Sequence, residues 1–148
     1  MTPTVTPTVT TPRLSTGLAI LRVVVGLVFL VHGYQKLFLM GIPGVTGFFT
    51  QIGAPLPGIT APLVSVLEFG GGLALILGLF TLPVALLLAA DMLGAILLVH
   101  LPAGFNVAEG GYEFVLTLFG ASLALALTGP GAYALDTVLR RGRAVRER

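Results

Sequence analysis

Arg22, His32, Lys36, Glu68 and Asp91 stand inside long apolar runs of the chain. A charge near the middle of a bilayer costs at least about 2.5 kcal/mol, so such side chains face inward, pair with one another, or serve a ligand or proton. His32 and Lys36 are four positions apart and share a helix face. Gln35 sits one residue off that line, and Glu68 on the next apolar run is the acid that can meet them. His32, Gln35, Lys36 and Glu68 therefore form a candidate buried polar cluster. Its chemistry is hydrogen bonding to, or protonation of, a carbonyl-type group.

Composition says what must position these residues. The chain has 148 residues, of which 55% are hydrophobic and only 9% charged. Soluble domains carry roughly 25% charged residues. Mean hydropathy is +1.02. One membrane domain follows, in contact with the lipid bilayer. A soluble bundle would need a polar stripe on every helix, and residues 73–101 offer almost none. There is no cysteine, which excludes disulfides, thiolate metal sites and thiol chemistry within this chain. Any redox role needs a bound cofactor or a partner. His100 with Glu113 lacks the spacing of a metal motif, and no metal site is expected. Tryptophan is absent, so interfacial anchoring falls to Tyr34, Tyr112, Tyr133 and the arginines.

Residues 1–12 repeat Thr, Pro and Val, and Pro3, Pro7 and Pro12 oppose a regular helix. This reads as a disordered arm rather than a cleavable signal peptide, because a basic n-region is missing. Residues 13–139 form the membrane domain, with helices over about 14–40, 59–80, 83–101 and 112–128. The 59–101 run is too long for one crossing, and Thr81-Leu82-Pro83 is the expected turn, with Pro83 in the first turn of the next helix. Residues 41–58 are rich in Gly and Pro; Phe48, Phe49 and Ile52 there mark a short interfacial helix. Gly129-Pro130-Gly131 stops the fourth helix, and an amphipathic tail follows. The last nine residues, 140–148, carry Arg140, Arg141, Arg143, Arg146 and Arg148. A basic tail in this setting is a cytoplasmic anchor rather than a nucleic-acid site, so both termini are expected in the cytoplasm. The fold class is an all-α, four-transmembrane-helix antiparallel bundle.

Depth along the helices pairs the charges. Arg22 and Asp91 each lie about 12 Å from the inner face at about 1.5 Å per residue, which predicts an Arg22–Asp91 ion pair. Glu68 and His32 lie in the outer half, at about 13 Å and about 9 Å from its face, so Glu68 can meet His32 or Lys36. His100, Glu109 and Glu113 fall at the outer surface. Gly26, Gly33, the Gly70–Gly72 run, Gly94, Gly120 and Ala121 allow close helix approach beside the charges. Each charge also has a purely structural reading: Arg22–Asp91 as a helix lock, Lys36 snorkelling to the interface, His32 as a bonded core residue.

The stretches HGYQKLF, GFFTQIGAPLP, EFGGGLALILGLFTLPVALLLAADMLGAI and GYEFVLTLFGASLALALTGPGAYALD carry a resemblance. Over about Arg22 to Asp136 the chain resembles the DoxX family of small bacterial membrane proteins. The resemblance implies a four-helix integral protein of the bacterial inner membrane. It implies an association with membrane redox complexes: the family name is tied to subunits of a thiosulfate:quinone oxidoreductase, and other members to oxidative-stress defence. It supplies no catalytic residue set. Three functions then compete. The first is a non-autonomous subunit of a redox assembly in contact with quinone, with a protein partner or a second copy of the chain. The second is a structural membrane anchor, and the third a proton-linked small-solute carrier. No complete catalytic constellation for an autonomous enzyme is present.

Overall fold

A computed structural model describes residues 11–139. The Thr/Pro arm through residue 10 and the basic tail from residue 140 lie outside the described residues.

Helix α1 spans Pro12–Tyr34. Thr11 caps it, its side chain accepting from Leu14 N, and Pro12 occupies the first helical position, where its missing N–H is harmless. The helix therefore starts two residues before Leu14. It runs on as a wider π-helical turn, Gln35–Met40. At Gly41, φ 71°, the chain changes direction into α2, Gly41–Gln51. The expected short helical turn near Phe48 is thus a helix of eleven residues, packed on α3 through the buried Val45.

Helix α3 spans Pro57–Leu77 and ends at Gly78, whose left-handed backbone lets Gly78 N and Leu79 N bond back to Leu75 O and Ala74 O. Helix α4 begins already at Thr81 and spans Thr81–Ala95. The reversal is therefore Gly78-Leu79-Phe80, not Thr81-Leu82-Pro83; Pro83 sits inside the first turn of α4. A second π-helical turn, Ile96–His100, extends α4. A loop with two single 3₁₀ turns leads to α5, Glu113–Thr128. After Gly129 the chain folds back, and residues 135–139 are helical.

The core draws on α1, α3, α4 and α5: Val25 and Phe29, Leu75, Ala85, Leu88 and Met92, Val115, Leu118 and Leu125. Helices α1 and α3 meet backbone to backbone. A Cβ added at Gly33 would fall 2.2 Å from Phe69 N, and one at Gly72 2.4 Å from Leu30 N. Only glycine permits this crossing. The outward faces are apolar: Ile20, Val24, Leu27 and Val31 form an exposed stripe on α1, and Leu82, Leu86, Leu93 and Leu97 on α4. Apolar residues outside and Arg22 and Glu68 buried inside is the arrangement of a protein solvated by lipid. Among the described residues, three helical runs are long and apolar enough to cross a bilayer: Pro12–Gln51, Pro57–Leu77 and Thr81–Ala103. The apolar α5, with 16 residues, is shorter.

Candidate functional site

Two ends of the bundle carry different polar structures. At the end where α3 turns into α4, Arg22 is buried at 3% exposure. Its guanidinium donates to Pro130 O at 2.6 Å and to Tyr133 O at 2.9 Å. Asp136 accepts from Phe80 N and Thr81 N, both at 2.9 Å, and so caps α4; its own N–H bonds Gly78 O. A carboxylate at a helix N-terminus satisfies otherwise unpaired N–H groups and meets the positive end of the dipole. The segment after Gly129 is thereby fastened to the ends of α1, α3 and α4. Asp136 is a structural cap here.

The expected Arg22–Asp91 pair does not form. Arg22 NH1 lies beside Gly78, the last turn of α3, because the first turns of α1 extend past that end of the bundle. Asp91 lies ten positions above Thr81, about 15 Å further along at about 1.5 Å per residue. Counting depth from Leu14 placed Arg22 too deep.

The second polar structure is at the opposite half. Lys36 Nζ donates to Glu68 Oε2 in an ion pair, with Glu68 almost wholly buried and Lys36 partly so. Asp91 sets its carboxyl against that of Glu68. His32, half-buried, is within electrostatic reach of both Glu68 and Lys36, and its ring lies 6.2 Å from that of Phe114 on α5. Gln35 is exposed and outside this group. Consecutive residues point about 100° apart around a helix, so with Lys36 turned into the bundle its neighbour Gln35 faces outward. The observed cluster is thus Lys36, Glu68 and Asp91 with His32 beside it.

Above the cluster lies an apolar cavity of about 430 Å³, within the usual size for small-molecule sites. Thr60, Val64 and Glu68 line it at helical spacing from α3; Asp91, Gly94 and Leu98 do so from α4; Phe48 and Phe49 of α2, with Ile52 at its end, roof it. Gly94 has nothing within 4 Å of where a Cβ would stand, so its missing side chain is part of the free space. His100 lines the mouth, its Nδ1 bonded to Gly110 O at 2.7 Å. A carbonyl only accepts, so Nδ1 carries the hydrogen and a neutral His100 keeps Nε2 as an acceptor. Glu109 is exposed in the loop, and Glu113 is in the first turn of α5. Neither lines the cavity.

The wall residues were readable only in part. The four-residue spacing of Thr60, Val64 and Glu68 is a signal on one face of α3. The role of α2 as a roof has no such signal, since it depends on the break at Gly41. Asp91 joined the cluster because α4 faces α3 at that height, which requires the true turn at Gly78.

An all-helical membrane protein with a polar-floored apolar cavity is what this geometry defines. The DoxX family model matches residues 17–101. Inner membrane protein YqjF of Escherichia coli is 36% identical over 129 residues, covering 84% of this chain and 93% of its own. The Bacillus subtilis protein named "Putative oxidoreductase CatD" is 39% identical over 127 residues, covering 86% of this chain and 90% of its own. Inner membrane protein YphA of Escherichia coli is 35% identical over 124 residues, at 80% and 87% coverage. No solved structure matches. The chain belongs to the DoxX family of membrane proteins.

Proposed function

We propose that this chain is a membrane subunit of a bacterial redox assembly and that its cavity seats the head of a quinone. The observation that carries the reading is the cavity itself: apolar walls from three helices over a floor of Lys36, Glu68 and Asp91. A quinone head is flat and apolar apart from its carbonyls, so it suits apolar walls with hydrogen-bonding groups at one end. Bound there, a quinone would supply two-electron redox chemistry, which this cysteine-free chain does not offer by itself. The chain's own part is to hold the head, exclude water with the α2 roof, and present a cation and carboxyls to the carbonyl oxygen.

In this reading the bundle crosses the bacterial inner membrane four times, α5 included, with α2 at the outer interface. The start of α1, the α3–α4 turn and the segment after Gly129 lie together at one end, as four crossings require. Arg13 and the arginines of residues 140–148 favour the cytoplasm for that end. In this reading a separate protein of the assembly supplies the electrons.

The test is gentle extraction of the full chain, followed by mass spectrometry of bound lipids and co-purifying proteins. Quinone is expected with the wild type and depleted in Gly94→Leu, whose side chain fills the cavity. Equal quinone in both, or none in either, would overturn the assignment.

A further inference from the structure

Asp91 Oδ2 is buried and has no hydrogen-bond donor among the described residues. What its carboxyl faces is another carboxyl, that of Glu68. Two ionised carboxylates in contact repel, and neither can donate. Lys36 already gives its bond to Glu68 Oε2. With Lys36 protonated and both acids ionised, the group carries one net negative charge inside apolar walls. One proton on the carboxyl pair makes the group neutral and turns the orphan oxygen into a donor. Buried polar atoms without partners are rare, and a shared proton removes this one.

We propose that Glu68 and Asp91 are a proton-binding site in which the two carboxyls hold a single proton between them, stored at the floor of the cavity for exchange with its occupant. The remaining surroundings agree. His32 from α1 and Lys36 from the π-helical turn that follows it face the pair. From the roof, α2 contributes only Phe48 and Phe49, and Ile52 follows at its end. The one charged residue of α5, Glu113, stands in its first turn at the outer end, and His100 is at the mouth. No second cation among these groups neutralises Asp91. The site deepens the reading of the cavity as a quinone seat, since reduction of a quinone takes up protons, but its test needs no quinone.

The experiment is infrared spectroscopy of the full chain in lipid nanodiscs near neutral pH, without added ligand. A carboxylic-acid C=O band is expected, because among the other described carboxyls Glu109 is exposed, Glu113 is only partly covered in the first turn of α5, and Asp136 accepts from two N–H groups. The band should shift on transfer to D₂O, and it should vanish in Asp91→Asn and in Glu68→Gln, each of which leaves one carboxylate for Lys36. Absence of an acid band in the wild type overturns the proposal without any variant. A band that survives Glu68→Gln assigns the proton to Asp91 alone and overturns the shared site. A band unmoved by D₂O marks a sealed structural pair and overturns the exchange. Failure of the quinone extraction leaves each of these readings separately decided.

Discussion

Lys36→Met removes the one cation that bonds Glu68 among the described residues while leaving the carboxylate in place. The Glu68 side chain is 4% exposed and that of Lys36 23% exposed, so the two partners are not equivalent. A buried carboxylate left alone has no water to turn to, and breaking a buried pair from one side costs about 3–5 kcal/mol. Glu68→Gln is milder. It leaves Lys36 with an outward route for its ammonium and with Asp91 as a replacement partner, so the loss is about one hydrogen bond, roughly 1 kcal/mol. In the double variant Lys36→Met with Glu68→Gln the remaining acid, Asp91, keeps a proton and is neutral beside the new amide, so this protein should also lose only about 1 kcal/mol. The expected coupling is then about 3–5 kcal/mol, above the roughly 0.6 kcal/mol average for neutral side-chain hydrogen bonds between membrane helices. The assay is unfolding in mixed detergent micelles followed by circular dichroism, with all four proteins measured side by side. Equal losses for the two single variants, or a double variant whose loss is the sum of both, would refute the asymmetry and with it the buried position of Glu68.

Other perturbations probe the frame around the site. Gly33→Ala drives a methyl toward Phe69 N and should cost about 3 kcal/mol as α1 and α3 separate. Gly70→Ala has open space around its Cβ and should be neutral or stabilising by up to about 1 kcal/mol; the same unfolding series measures both. Asp136→Ala strips two N–H acceptors from the start of α4 and should cost about 2 kcal/mol. Hydrogen exchange should accelerate at Phe80 and Thr81 and not at the core of α4. Arg22→Met frees the Pro130 and Tyr133 carbonyls, so limited proteolysis should cut residues 129–139 faster than in the wild type, with α5 still protected.

The membrane character was legible in full, because it depends on composition, and lipid leaves few charges elsewhere to go. The Lys36–Glu68 contact was among the pairs that spacing allowed. Spacing within the apolar runs predicts an Arg22–Asp91 pair, but α1 begins at Pro12 and overhangs the α3 turn, so Arg22 stands beside Gly78 and well short of Asp91. Gln35 stays outside the cluster because it stands about 100° around the helix from Lys36 and is exposed.

Apolar runs, glycine positions and the scarcity of charges by themselves determined that this chain folds as helices in lipid with its ionisable groups inward. Local spacing carries that much, since each helix satisfies its own backbone wherever it sits. Which charge meets which was decided only in the tertiary structure. Relative helix height and rotation set those meetings, and they follow from the left-handed stop at Gly78, the glycine crossing at Gly33 and Gly72, and the two π-helical turns. Those features placed Asp91 against Glu68, gave Arg22 to the carbonyls of Pro130 and Tyr133, and laid α2 over an apolar cavity.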